Sequence, residues 1–383
     1  MENPTVQDIF HSFYLKYLDR YTPSAEQAKV SHCIMNCKTG AYGANVSVCE
    51  DCGHLQIHYN SCRNRCCPMC QALPTEKWMD AQREDVLEAP YFHVVFTVPQ
   101  ELNPLIYCNQ KLLYDALYHS VSSSINELAE DEKYLGAKVG YICILHTWGS
   151  EMNFHPHIHV ILLGGGLTAK NQWRDKGEEF FFPVKVLSKL FRGKYLDELK
   201  TLWKNKKLHF HGSSEKYRNH YAFKELINIC YEKDWIPHCK KAFNGAQSVI
   251  HYLGKYIHRI AISNRRIIRM DENTVTYYVK DYREAGKWKA LTIPGVEFIR
   301  RFLMHVPPKR FVRIRHYGLL CTRSKTKHLT LCRNLLGCRQ YLSRLKNMET
   351  AQILETLYGI KVSVCKCCGG HLGPPQQRIP LRI

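Results

Sequence analysis

The sequence predicts an α+β protein, with helices packed on one antiparallel sheet and a small metal-binding module ahead of it. Three observations predict it. Apolar strands and helical stretches follow in the order strand-helix-strand-strand-helix-strand. One strand, within His155-Pro-His-Ile-His-Val-Ile-Leu-Leu-Gly-Gly-Gly166, carries two histidines at alternate positions. Alternate side chains of a strand share a face, so His157 and His159 project together while Ile158 points into the opposite layer. Finally, eight cysteines fall between Cys33 and Cys70.

The elements read as follows. Residues 5–20 place Ile9, Phe10, Phe13, Tyr14, Tyr17 and Leu18 at helical spacing, which predicts an amphipathic helix. The cysteine module follows and ends near Gln71, and a linker helix over Thr75–Leu87 leads to Pro90. Tyr91–Val98 reads as a buried strand and Leu105–Leu128 as a helix. Val139–Trp148 and His157–Leu163 predict an antiparallel pair joined by the loop Gly149–Pro156, with the triple glycine 164–166 ending the second strand. Segment 167–243 holds helical stretches and is expected as an insertion elaborating the core. Ala246–Ile260 reads as a helix, followed by strands near Arg265–Met270 and Thr274–Val279. The expected division is 1–88 for the first helix and zinc-binding domain, 89–310 for a catalytic domain, and 311–383 for a basic C-terminal region.

The 383 residues are 45% hydrophobic, enough for a real core. No run approaches the roughly 18 apolar residues of a membrane span, and the start lacks the basic-then-apolar layout of a secretion signal. A cytoplasmic protein without a membrane partner is expected. Lys and Arg number 54 against 34 Asp and Glu, a net charge of +20, which points to a polyanionic partner such as nucleic acid. The charge is uneven. Trp235–Met270 and Arg301–Met348 contain no carboxylate, and Tyr252, Tyr256, Phe311 and Tyr317 lie among their cations. Cations for phosphates and rings for stacked bases are what a single-strand groove requires.

Eighteen cysteines without an export signal argue for metal rather than disulfides. The core pattern is Cys49-x-x-Cys52, fourteen residues, then Cys67-x-x-Cys70. Each Cys-x-x-Cys offers two thiolates to one zinc, and two such pairs complete a tetrahedron. Cys33, Cys37, Cys62 and Cys66 could build a second site or exchange with the first set, and His54 and His58 could contribute. Near the C-terminus Cys365-Lys-Cys-Cys-Gly-Gly-His371 looks like half of a zinc ribbon, with Cys332 and Cys338 as the expected other half and Cys321 in reserve.

Two imidazoles on one strand face form half of a divalent metal site. In His251-Tyr-Leu-Gly-Lys-Tyr-Ile-His-Arg259, Tyr252 and Tyr256 are four residues apart and would share one helical face. A phenol of pKa about 10 is a poor nucleophile at neutral pH. It becomes useful where a metal polarises the scissile phosphate and cations such as Lys255 and Arg259 favour phenolate.

Together these residues resemble the HUH endonuclease superfamily, and within it the two-tyrosine, rolling-circle transposases of bacterial insertion sequences. The likeness runs through Ser61-Cys-Arg-Asn-Arg-Cys-Cys-Pro-Met-Cys70, Pro90-Tyr-Phe-His-Val-Val-Phe-Thr97, His146-Thr-Trp-Gly149, the histidine strand, Tyr252-x-x-x-Tyr256-Ile-His-Arg259 and Arg313-Ile-Arg-His-Tyr-Gly318. The resemblance implies an HUH-type antiparallel sheet with a ferredoxin-like core, Mg²⁺ or Mn²⁺ on His157 and His159, and attack by Tyr252 or Tyr256 to leave a 5′-phosphotyrosine and a free 3′-hydroxyl. It also implies single-stranded element ends and target DNA as partners, a bacterial nucleoid setting, and room for a dimer. A third metal ligand is usual in the superfamily; His146, His155, Glu151 and His258 all qualify. Where the family has a histidine before Cys-Pro-x-Cys this chain has Cys66, and where it often has one ahead of the first Cys-x-x-Cys this chain has Asn45. The ligands of a second zinc therefore stay open. A rolling-circle replication initiator would share the nicking chemistry, and a zinc-finger regulator would need neither the histidine strand nor the tyrosine pair.

Overall fold

The structure, a computed structural model, describes all residues except 1–2, 178, 181, 236, 243–247, 249–253, 255–260, 282–283, 285 and 379–383. Helix α1 (Val6–Leu18) starts at a reciprocal cap between Thr5 and Asp8 and buries Val6, Ile9, Phe10, Phe13 and Tyr17. A second helix that the periodicity did not reveal, α2 (Ala25–Met35), starts at the same kind of cap between Ser24 and Gln27. Two short strands follow, β1 (Ala44–Val48) and β2 (Leu55–Tyr59), then α3 (Ala72–Arg83).

The central layer begins at β3 (Tyr91–Thr97). The single helix expected over 105–128 is two, α4 (Asn103–Cys108) and α5 (Gln110–Glu130), broken at Asn109. The side-chain amide of Asn109 donates to the carbonyls of Leu105 and His209 and so fixes the break. Strands β4 (Lys138–Trp148) and β5 (Phe154–Leu167) form the long antiparallel pair, and β6 (Trp173–Asp175) pairs with the end of β5. The triple glycine therefore does not end its strand. It lets the strand pass through crowded ground: a Cβ at Gly166 would sit 2.4 Å from the Lys138 carbonyl oxygen, and one at Gly165 2.4 Å from the Trp173 ring.

The segment expected as an insertion is part of the core. Helices α6 (Val184–Lys204) and α7 (His220–Glu232) pack Phe191, Tyr195, Leu196, Phe223 and Leu226 into the cluster that holds Phe92, Val94 and Phe96 of β3. Strand β7 (His238–Ala242) then pairs antiparallel with β3. Strands β3, β4, β5 and β7, with α5 after the first and α6–α7 before the last, make the expected βαββαβ unit, fully antiparallel. The fourth strand is β7, not the stretch near Arg265.

That later stretch forms a separate sheet of β8 (Ile267–Met270), β9 (Thr274–Asp281) and β10 (Lys287–Pro294), followed by α8 (Gly295–Met304). Its buried face shares a cluster with α1 and α2: Phe10 and Phe13 meet Tyr277, Phe298 and Phe302. A Cβ at Gly295 would lie 2.4 Å from the Phe13 ring. The chain returns to the central sheet through β11 (Ile314–Gly318), which lies against β4, and continues as α9 (Lys325–Leu336), α10 (Thr350–Tyr358) and β12 (Gln376–Arg378). No described helix is long and apolar enough to cross a membrane.

Candidate active site

The central sheet presents a row of histidines. Register places His146 of β4 opposite His157 of β5, and Val95 of β3 opposite His159. Ile158, Val160 and Leu162 face the other way, into the main core, as strand alternation requires. One nitrogen from each of His146, His157 and His159 lies within 4.8 Å of the others, so His146 completes the cluster as the third member. Of the other candidates, His155 stacks near His157 and borders the cleft, Glu151 lies in the β4–β5 turn where it accepts from Asn153, and His258 lies outside the described residues.

The rings are held from behind. His157 Nδ1 donates to the His155 carbonyl at 2.7 Å, which leaves its Nε2 lone pair facing the cluster. The Nε2 atoms of His157 and His159 are 3.0 Å apart, and His159 Nδ1 is 2.8 Å from Nε2 of His93 on β3. With the His159 Nδ1 proton donated to His93, both inner nitrogens present lone pairs. All of these groups are buried or nearly so, and burial pushes His157 down to about 3, His93 down to about 4 and His159 well below the ordinary histidine range. At neutral pH they are uncharged nitrogen donors. Three imidazoles converging on one point, two of them held by their outer nitrogens, fit a divalent transition-metal ion.

The cluster floors a cleft of about 560 Å³ whose far wall comes from Ser263 and Arg266 of the turn before β8, Lys280 of β9 and Trp288 of β10. Trp288 is 56% exposed, with the Lys280 ammonium 5.2 Å and the Arg266 guanidinium 5.9 Å from its ring. The β4–β5 turn locks the two walls together. Arg266 donates to the Ser150 carbonyl, Tyr277 and Arg301 to that of Glu151, and His305 to that of Met152. Arg266 lies in the carboxylate-free basic stretch read from the sequence, whereas His93, Lys280 and Trp288 were not singled out there. His93 had a signal, a histidine alternating with the core residues Phe92 and Val94 of an apolar strand; Lys280 and Trp288 lie on a sheet whose position no local pattern encodes.

Tyr252, Lys255, Tyr256 and Arg259 lie outside the described residues. A Cβ at Gly254 would meet Met79 of α3, and the chain resumes at Ala261–Ser263, which border the cleft.

The cysteines form two clusters, differently sorted from the expected set. Cys37, Cys62, Cys67 and Cys70 converge in one, and Cys49, Cys52, Cys365 and Cys368 in the other. Cys49 and Cys52 thus do not share a site with Cys67 and Cys70, and Cys332 and Cys338 do not complete the C-terminal half. Cys66 is buried outside both, near Arg65 and Arg313; burial pushes its thiol up to about 11. Spacing identifies which two thiols bite together but not which pairs meet in space. In the first cluster Cys62 and Cys70 sulfurs are 3.8 Å apart, close to the separation a tetrahedral zinc imposes.

Two family descriptions match the chain: "Transposase zinc-binding domain" over residues 9–98 and "Putative transposase" over residues 140–328. "Putative transposase y4qJ" of Sinorhizobium fredii (strain NBRC 101917 / NGR234) is 39% identical, covering 87% of this chain and 84% of its own length. "Transposase for insertion sequence element IS801" of Pseudomonas savastanoi pv. phaseolicola is 28% identical over 76% of this chain and 69% of its own. Among solved structures, the conjugative relaxase TrwC in complex with oriT DNA aligns at a TM-score of 0.26 and 12% identity, over 66% of this chain and 95% of that one.

Proposed function

The chain belongs to the insertion-sequence transposases that include the IS801 enzyme, and from that premise we propose that it nicks and rejoins single-stranded DNA at element ends with a tyrosine nucleophile. The observation that carries the reading is the convergence of His146, His157 and His159 at the floor of a cleft walled by Trp288, Lys280 and Arg266. A regulator has no use for three buried, converging imidazoles opening onto such a cleft.

Tyr252 or Tyr256 attacks the scissile phosphorus. The phosphorus–O3′ bond breaks, the 3′ oxygen leaves and takes up a proton, and the phosphate stays esterified to the tyrosine through its 5′ side. Rejoining reverses this: a 3′-hydroxyl attacks the phosphotyrosine and releases the phenol. One ester replaces another at each step, so no nucleotide cofactor is required. Lys255 and Arg259 favour the phenolate by lowering the phenol below its usual pKa of about 10. Two tyrosines let one strand end be held while a second is cut.

His146, His157 and His159 would hold a divalent cation, which supplies Lewis-acid polarisation of the scissile phosphate. Of the two ions expected from the sequence, an all-imidazole donor set favours Mn²⁺ over Mg²⁺. The wall beside it supplies a stacking ring and two cations to position an unpaired strand. Cys37, Cys62, Cys67 and Cys70 would bind the structural zinc of the N-terminal module, whose family description is zinc-binding. The test is incubation with labelled single-stranded element ends and Mn²⁺: a covalent protein–DNA adduct with release of a 3′-hydroxyl fragment is expected, and binding without any adduct would leave only the regulator.

A further inference from the structure

The second cysteine cluster joins the two ends of the chain. Cys49 and Cys52 flank the turn after β1, and Cys365 and Cys368 flank a turn near the C-terminus. Their sulfurs all lie within 4.8 Å of one another, with Cys49 and Cys368 at 3.5 Å and Cys52 and Cys365 at 3.8 Å. A tetrahedral zinc about 2.3 Å from each sulfur requires sulfurs about 3.8 Å apart, whereas a disulfide requires about 2.05 Å. The set stands at zinc spacing, and all four thiols are free. Backbone N–H groups point at the sulfurs as well: Cys367 donates to Cys365 Sγ and Gly370 to Cys368 Sγ, both at 3.4 Å. Such donors stabilise a thiolate.

The two halves interlock beyond the thiols. Strand β12 pairs with β1, Cys49 bridges to Leu372, and Leu372 packs against Cys49 and Cys365. Glu50 donates from its backbone to the His371 carbonyl at 3.0 Å, and the His371 N–H donates to the Asp51 carboxylate at 3.1 Å. The return path is also anchored. Buried Asp80 of α3 accepts from Tyr341, Ser343 and the Leu345 backbone. Neither family match reaches residues 365–378.

We propose that Cys49, Cys52, Cys365 and Cys368 bind one zinc ion in a ribbon whose halves lie 313 residues apart in sequence, separate from the ion on Cys37, Cys62, Cys67 and Cys70. This ion clamps the C-terminal segment onto the N-terminal module, so its loss frees β12 while leaving the first cluster intact. Native mass spectrometry of the full chain should find two zinc ions. The pair Cys365→Ser/Cys368→Ser should carry one, Cys49→Ser/Cys52→Ser one, and the quadruple variant still one, because both knuckles serve the same ion. Limited proteolysis should cut between 359 and 378 in those variants and spare the wild type. If a variant does not fold, the wild type carries the test. After partial chelation, alkylated one-zinc molecules should bear labels on Cys49, Cys52, Cys365 and Cys368 together or on Cys37, Cys62, Cys67 and Cys70 together. Two zinc ions in Cys365→Ser/Cys368→Ser, labels joining Cys49 and Cys52 to Cys67 and Cys70, or a disulfide in place of the second ion would overturn the proposal.

Discussion

His157 and His159 bring their Nε2 atoms within 3.0 Å of each other, while the Nδ1 atoms on their far sides are anchored by the His155 carbonyl and by His93. Two uncharged nitrogens aimed at one point offer a chelating pair to a divalent ion. Replacing either His157 or His159 with Ala should reduce cleavage of single-stranded DNA to background while binding in the absence of metal stays within about twofold. Titration of nicking with metal should reach half-maximum at a lower concentration of Mn²⁺ than of Mg²⁺, since nitrogen ligands favour the transition metal. Equal or preferential use of Mg²⁺ would argue for a carboxylate in the ligand set.

His93 touches no substrate on this reading; it positions His159. Removing an outer-shell partner of a metal ligand typically weakens metal affinity 10–100-fold. His93→Phe should therefore raise the Mn²⁺ concentration needed for half-maximal nicking by that factor, with the rate at saturating metal largely kept. An unchanged metal requirement would make the 2.8 Å contact incidental.

Trp288 should act on the strand rather than on the chemistry. Base stacking on an aromatic ring is worth about 1–3 kcal/mol, so Trp288→Ala should weaken single-strand binding by roughly 5- to 150-fold, and Trp288→Phe by much less. Fluorescence anisotropy with a labelled oligonucleotide measures both. Loss of metal-dependent rate without loss of binding would move Trp288 into the reacting centre.

Acid should loosen the turn that carries the site. His305 accepts from Thr147 and donates to the Met152 carbonyl, and burial pushes its pKa down to about 4, against about 6.5 when unfolded. The unfolded chain therefore takes up this proton first. Stability from this group is full above about pH 6.5, falls as pH drops towards 4, and changes no further below. The whole shift amounts to roughly 3 kcal/mol. His305→Gln should flatten that part of the urea-denaturation profile between pH 6.5 and 4; an unaltered slope would assign the acid sensitivity elsewhere.

The histidine row was legible because a strand's period of two leaves no choice about which side chains share a face, and β3, β4 and β5 fell within a few residues of their expected bounds. Strand β7 was not. His238-Cys-Lys-Lys-Ala242 has no apolar alternation and is a strand only because β3 offers it an edge. The glycine run read as a stop because glycine usually breaks a strand, yet here Lys138 and Trp173 occupy the space a side chain would need. The knuckles were legible one by one and illegible as pairs, since the fold alone brings Cys365 to Cys52. The cap at Ser24 and Gln27 was in plain view and marks α2, but the helix behind it has weak apolar periodicity.

The central claim, a tyrosine nucleophile working over the histidine cluster, is tested most directly by the covalent adduct itself. Wild type, Tyr252→Phe, Tyr256→Phe and the double variant are incubated with labelled single-stranded element ends and Mn²⁺, and the phosphotyrosine peptide is mapped by mass spectrometry. Wild-type protein should be labelled on both Tyr252 and Tyr256, at least one single variant should still form one adduct while losing complete transposition, and the double variant should form none. No adduct from the wild type, or one on a tyrosine outside residues 252–256, would contradict the assignment.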